Sequence, residues 1–142
     1  MRHAALIGMF LAFAPPAHAE TTMVWKLDGF TAPESVGRDP ASGKIYVSNM
    51  GKDPMAKDGG GFISIITADG KVDKLDWVTG LDSPKGIDFV GGRLFVADID
   101  QLVEIDTASG QIANRYKAEG AQLLNDVAAG PDGKVYVSDP LT

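Results

Sequence analysis

The sequence contains no cysteine and only two histidines, His3 and His18. Without cysteine there is no disulfide framework, no thiolate nucleophile and no thiol for lipid attachment. Both histidines fall in the first nineteen residues, so the remainder can run neither Ser-His nor Cys-His catalysis and offers no imidazole to a metal. Clustered basic residues are missing too: 13 Lys and Arg stand against 19 Asp and Glu, for a formal net charge of −6. Phosphate backbones are bound by grouped Lys and Arg, so nucleic acid is excluded as a partner. No stretch beyond the leader described next carries a 3.6-residue apolar period, which argues against a helix-containing fold.

What is present begins with an export signal. Arg2 supplies a positive start, residues 4–14 form an apolar run, Pro15-Pro16 ends it, and Ala17-His18-Ala19 matches a signal peptidase site. The run is about half of the roughly twenty residues that span a bilayer. Residues 1–19 are therefore expected to be removed after Ala19, leaving a periplasmic or secreted protein with no membrane span.

The mature part, residues 20–142, repeats itself. PESVGRDPASGKIYVSN from Pro33 returns as PKGIDFVGGRLFVAD from Pro84 and as LNDVAAGPDGKVYVSD from Leu124. Each copy has a short apolar step (Val36, Ile87, Val127), a Gly-containing turn and an alternating strand holding Tyr46, Phe95 or Tyr136. GFISIITADGKV (61–72) likewise aligns without a gap on QLVEIDTASGQI (101–112), two strands about an Ala-Asp-Gly or Ala-Ser-Gly turn. Four short strands in about 40 residues are the blade of a β-propeller, and self-similarity at that period separates it from a β-sandwich. The expected fold is all-β: an incomplete ring of four-stranded blades, with blade 1 at about 33–80, blade 2 at about 84–120 and the start of a third at about 124–142. A leading strand is expected around Met23–Leu27. About two and a half blades cannot close a ring, so the chain reads as part of a longer protein, with assembly of several copies as the alternative.

Innermost strands line the channel of a propeller, and the repeats place Glu34, Lys85 and Asn125 at one slot, directly after Pro33, Pro84 and Leu124. A carboxylate and an amide oxygen converging there suit a hard divalent ion able to act as a Lewis acid. Taken singly, each residue also reads as an ordinary surface or turn residue. Asn49, Asp98 and Asp139 recur at the end of the second strand and read as polar caps of the turn that follows. The insertion at residues 50–61 lacks the alternating acids of an EF-hand loop and the Gly-Lys-(Ser/Thr) ending of a phosphate loop, and reads as a mobile surface loop overhanging the channel mouth. Trp25 and Trp77 read as packing residues between blades.

The repeat pattern, with Asn125-Asp126 ahead of Pro131-Asp132-Gly133, resembles the senescence marker protein, gluconolactonase and regucalcin family of six-bladed propellers over residues 24–142. The resemblance implies a divalent cation, calcium or zinc, at the channel mouth, with Glu34 as a metal ligand and Asn125 contacting substrate or metal-bound water. Two further ligands, among them the acid/base Asp, are expected beyond residue 142. It implies a metal-dependent hydrolase of lactones or esters in a full-length protein, with little or no activity in this chain alone, and a small molecule as ligand. The family's enzymes differ from this chain in the residues after Glu34, here Ser35-Val36-Gly37, and carry an Arg where Leu123 stands. Those differences favour the alternative, a non-catalytic propeller that binds a small molecule or a protein at its channel mouth.

Overall fold

The chain breaks into strands wherever a short polar side chain can cap a tight turn. Asp39 and Asp106 open the same device, Asp-x-Ala-Ser-Gly. The first carboxylate accepts from the N–H groups of Ala41 (3.0 Å) and Ser42 (3.2 Å), the second from those of Ala108 (3.1 Å) and Ser109 (2.8 Å). Gly43 and Gly110 then close each turn at positive φ, 74° and 76°, where a side chain would be strained. Between the turns, Val, Ile, Tyr and Phe alternate with small or polar residues, as half-buried strands require.

The structure, a computed structural model, describes residues 21–142; the leader expected at 1–19, with its cleavage after Ala19, lies outside the described residues. The fold is all-β. Strands β1 (Pro33–Arg38), β2 (Ile45–Asn49), β3 (Gly61–Ile66) and β4 (Val72–Leu81) form one antiparallel sheet in chain order. Strands β5 (Pro84–Val90), β6 (Arg93–Asp98), β7 (Gln101–Asp106) and β8 (Ile112–Lys117) form a second with the same order. Strands β9 (Val127–Ala129) and β10 (Val135–Val137) make an antiparallel pair. No sheet closes on itself, and no helix among the described residues is long and apolar enough to cross a membrane. The leading strand expected at Met23–Leu27 joins no ladder; Met23 and Val24 there are largely exposed.

The sheets meet through their first strands, β5 lying between β1 and β9. Tyr46 of β2 faces the second sheet, its ring 5.3 Å from Phe89 and 5.1 Å from Trp77, both edge-on. With it pack Ile63 and Ile65 from the first sheet and Ile87, Leu94, Val96, Val103 and Ile105 from the second. The opposite face of the second sheet presents Phe95, Ala97 and Leu102 to Leu124, Val127, Val135 and Val137. Each middle position thus has two apolar faces, which is why these strands read as nearly continuous hydrophobic runs. Gly37 allows the close approach: a Cβ there would lie 2.9 Å from the Phe89 ring.

Candidate functional site

The first strand of the first and of the second unit carries a bulge. Pro33 pairs with Asn49 and Pro84 with Asp98, after which the register slips and resumes at Val36–Val47 and Ile87–Val96. The residues inside the slip are Glu34-Ser35 and Lys85-Gly86. In the third unit the ladder begins at Val127–Val137, and Asn125-Asp126 fill the matching position. There the Asn125 N–H donates to the Ser138 carbonyl at 2.8 Å, and the Ser138 N–H to the Asp126 carbonyl at 3.0 Å. Bulges re-aim side chains away from the alternation of a strand. Glu34, Lys85 and Asn125 therefore hold equivalent places on adjacent strands.

Their side chains behave differently. Lys85 is buried, 5% exposed, and its ammonium donates to the Pro54 carbonyl (3.1 Å), the Ser83 carbonyl (3.1 Å) and the Ser83 hydroxyl (3.0 Å). All three of its protons are engaged, so it serves the 50–61 loop rather than a ligand. Burial pulls the Lys85 ammonium pKa below its ordinary value, with Asp98 and Glu34 opposing. Glu34 is exposed as a residue and makes no side-chain hydrogen bond or ion pair among the described residues. Its carboxyl is nonetheless pushed up, first by partial desolvation, with Lys85 drawing it down and Asp126 pushing it further up. Asn125 is half-buried, and its carbonyl accepts the Gly86 N–H at 2.8 Å. No side-chain hydrogen bond or ion pair joins any two of the three.

The link from Gly86 to Asn125 has a reason in the sequence. In the first unit the Ser48 hydroxyl accepts the Ser35 N–H (2.9 Å), and in the third the Ser138 hydroxyl accepts the Asp126 N–H (3.1 Å). The second unit has Ala97 at that position, and the Gly86 N–H donates across to the neighbouring strand instead.

Two acids not singled out in the sequence matter here. Asp126 adds negative charge beside Glu34 against the larger opposing pull of Lys85, and its place in the Asn125-Asp126 pair was the only signal for it. Asp88 ties β5 to β9, accepting the Ala129 N–H at 2.6 Å; no motif marked it.

The residues closing each second strand are structural, but they cap a different segment from the one expected. Asn49 accepts from the Thr31 N–H (3.1 Å), Asp98 from those of Asp82 (3.1 Å) and Ser83 (2.7 Å), and Asp139 from those of Gln122 (2.7 Å) and Leu123 (3.1 Å). Each therefore fastens the run leading into the first strand of its own unit. Asp139 also caps forward, to the Leu141 N–H at 2.9 Å, and Asp98 accepts the Gln101 side-chain amide at 3.2 Å.

The 50–61 loop is tied down rather than free. Besides Lys85, the Ser83 hydroxyl donates to the Pro54 carbonyl (2.8 Å), Lys57 pairs with Asp100 (2.8 Å), and the Gly59 N–H donates to Asp82 (3.2 Å). These anchors lie on the second sheet or the connection leading into it, while the Met50 N–H donates to the Ala32 carbonyl of the first unit (3.1 Å), so the loop straps the first sheet to the second beside the bulge slot.

The donors the slot carries are two carboxylates, Glu34 and Asp126, and the amide of Asn125. They are hard oxygens, which suit calcium in kind; zinc prefers nitrogen and sulfur ligands. They fall short of the about six to eight oxygens that calcium takes, and no group of three or more His, Cys, Asp or Glu side chains is placed to hold one ion among the described residues. Neither the scan of protein-family models nor the search of curated proteins finds a match to this chain.

Proposed function

We propose that the protein is an exported β-propeller of the gluconolactonase type, its sheets consecutive blades, and that its bulge slot takes a divalent cation through Glu34. The observation that supports this is Glu34 itself. A carboxylate that is partly desolvated, drawn down by Lys85 but pushed up by Asp126, and with no hydrogen bond or ion pair among the described residues is one a cation would relieve. Calcium is preferred over zinc because the available donors are all oxygen. A cation held by Glu34 would supply Lewis-acid polarisation for a lactone or ester carbonyl. The chain's own residues do the rest: Glu34 and Asp126 provide negative charge, Asn125 offers an amide to substrate oxygens, and the strap held by Lys85 walls the slot.

Isothermal titration of the chain with calcium chloride and with zinc chloride tests the site. Calcium binding that disappears in Glu34→Gln and weakens in Asp126→Asn supports it. No binding of either ion, or unchanged affinity in Glu34→Gln, rejects it. Export is read out separately, by a mature N-terminus at Glu20 in the secreted or periplasmic fraction.

A second reading, a non-catalytic propeller binding a small molecule or a protein at the same mouth, is favoured by the full engagement of Lys85 by Pro54 and Ser83. A panel of lactones and esters with calcium present separates the two. Glu34-dependent turnover identifies the hydrolase; cation binding without turnover identifies the binding protein.

A further inference from the structure

The first and second sheets also meet at the end of β1 remote from Glu34. The turn after β1 and the turn between β7 and β8 carry the same Asp-x-Ala-Ser-Gly sequence, and they wall a cleft of about 390 Å³. Asp39, Ala41 and Ser42 line it from the first turn, Thr107 and Ala108 from the second, so both walls come from these two sheets. Glu34 stands five residues before Asp39, roughly 15 Å along an extended strand. The cleft is therefore separate from the bulge slot.

Tyr46 offers this cleft an unused hydroxyl. Its ring is packed edge-on against Trp77 and Phe89 and the residue is only 1% exposed, yet it lines the cleft. The phenol lies near Ser42 and Asp39 but forms no hydrogen bond of normal geometry among the described residues, since the Ser42 hydroxyl directs its proton to Asp39 (2.5 Å). Buried phenols ordinarily find a partner, because one left unmet is costly. Phe95 holds the equivalent place in the second unit, so packing there does not call for a hydroxyl.

The neighbouring charges restrict what that hydroxyl can meet. Asp39 is 5% exposed; against the effect of burial, hydrogen bonds from Ser42 and Ala41 hold its carboxyl below its ordinary pKa, so it stays ionised and repels an anion. Lys44 brings an ammonium to the same cleft, 3.8 Å from Asp73, and repels a cation. Burial and nearby Asp39 push the Tyr46 phenol pKa up, so it keeps its proton and can both donate and accept. The Thr107 hydroxyl donates to the Gly92 carbonyl at 2.8 Å and keeps its lone pairs for an incoming donor. Donors and acceptors flanked by one charge of each sign suit a neutral molecule rich in hydroxyls. The cleft falls within the roughly 300–1,000 Å³ of small-molecule sites.

We infer that the cleft between the Asp39 and Asp106 turns binds a neutral polyhydroxy molecule of monosaccharide size, with the Tyr46 hydroxyl bonded to one of its hydroxyls. The site stands apart from the cation slot and is titrated with EDTA present, so the two readings fail separately.

Amide NMR spectra of the mature chain, titrated with glucose, galactose and sorbitol, test it. Shifts are expected to concentrate at Ser42, Lys44, Tyr46, Thr107 and Ala108. Tyr46→Phe should stay folded, as Phe95 does in the same place, and weaken binding by about fivefold, the loss of one neutral hydrogen bond. At mildly acidic pH, glucuronate and glucosamine, each carrying one charge, should bind several-fold more weakly, and Lys44→Met should admit glucosamine. No shift at these residues with any neutral sugar or polyol overturns the inference. So does affinity unchanged in Tyr46→Phe, charged sugars bound as tightly as neutral ones, or glucosamine still refused by Lys44→Met.

Discussion

Gly86 donates its backbone N–H to the Asn125 carbonyl at 2.8 Å, and a Cβ on Gly86 would lie 2.6 Å from the Asp126 Cα. The first strands of the second and third units therefore touch backbone to backbone at the bulge slot. Gly86→Ala must push β9 away or break that hydrogen bond, because the obstructing atom belongs to the main chain. We expect a loss of about 1–3 kcal/mol, the usual cost of overpacking a tight contact, read as a lower urea midpoint. If the slot binds calcium, affinity should fall as well, since Asp126 moves with its backbone.

Asp98 offers a second test, this time of the clamp at the end of each second strand. It is fully buried and accepts from the N–H groups of Asp82 and Ser83, with the Gln101 amide at 3.2 Å. Asp98→Ala strands two backbone donors, each costing about 1–3 kcal/mol when left unsatisfied. Asp98→Asn keeps one acceptor oxygen and should lose roughly half as much. Equilibrium unfolding of the two variants gives the order; equal losses would mean that the second N–H finds water.

The strands were legible because the repeats are in register: IYVSN and LFVAD became β2 and most of β6, and the shared slot of Glu34, Lys85 and Asn125 followed from the same alignment. What each side chain does there was not legible. Lys85 finds its partner in Pro54, inside an insertion with no counterpart in the other units, so no periodicity points to it. The clamps at Asn49, Asp98 and Asp139 repeat visibly, yet they bond to main-chain N–H groups, which carry no residue signature. The segment 23–27 has strand-like composition but joins no ladder among the described residues, and composition alone does not make one.

The strap predicts a change in protease sensitivity. Lys85→Met removes three hydrogen bonds and leaves the Pro54 carbonyl with the Ser83 hydroxyl alone. Residues 50–60 should then open more often, and tryptic cleavage at Lys52 and Lys57 should accelerate several-fold under native conditions. Lys57→Ala releases the Asp100 anchor and should accelerate cleavage at Lys52 less, because that ion pair is solvent-exposed. Equal rates in wild type and Lys85→Met would show that the other anchors suffice.

Glu34 predicts a pH dependence whose sign is fixed by its raised pKa. Between its ordinary value of 4.5 and the higher folded value, the folded chain binds more protons than the unfolded one. Stability contributed by Glu34 is thus fully present below pH 4.5 and is lost as pH rises through the folded pKa. At pH 7 the ionised carboxylate works against the fold, so Glu34→Gln should be slightly more stable than wild type. The gain is small because the residue is exposed and water screens the charge. Denaturation at pH 7 and pH 4 should show the difference shrinking at the lower pH. Added calcium should reverse the order at pH 7 if the cation site exists.

Ile99 yields the sharpest sign. It sits in the β6–β7 turn at φ 58°, a left-handed conformation that β-branched residues rarely adopt, and it is nonetheless 6% exposed. Its carbonyl accepts the Leu124 N–H at 2.6 Å, so the strained turn also ties the second sheet to the third unit. Holding an L-residue there costs roughly 1–2 kcal/mol, against about 2–3 kcal/mol gained by burying the side chain. Burial wins, which is why isoleucine is tolerated. Ile99→Ala keeps the Cβ and its strain while losing the buried methyls, and should cost about 2–4 kcal/mol. In an ordinary strand or turn, glycine would be worse than alanine by roughly 0.5–1 kcal/mol. Here the order should invert, with Ile99→Gly unfolding at a higher urea concentration than Ile99→Ala, because glycine alone removes the strain. Alanine proving the more stable of the two would show that the turn relaxes to negative φ once the side chain is cut back.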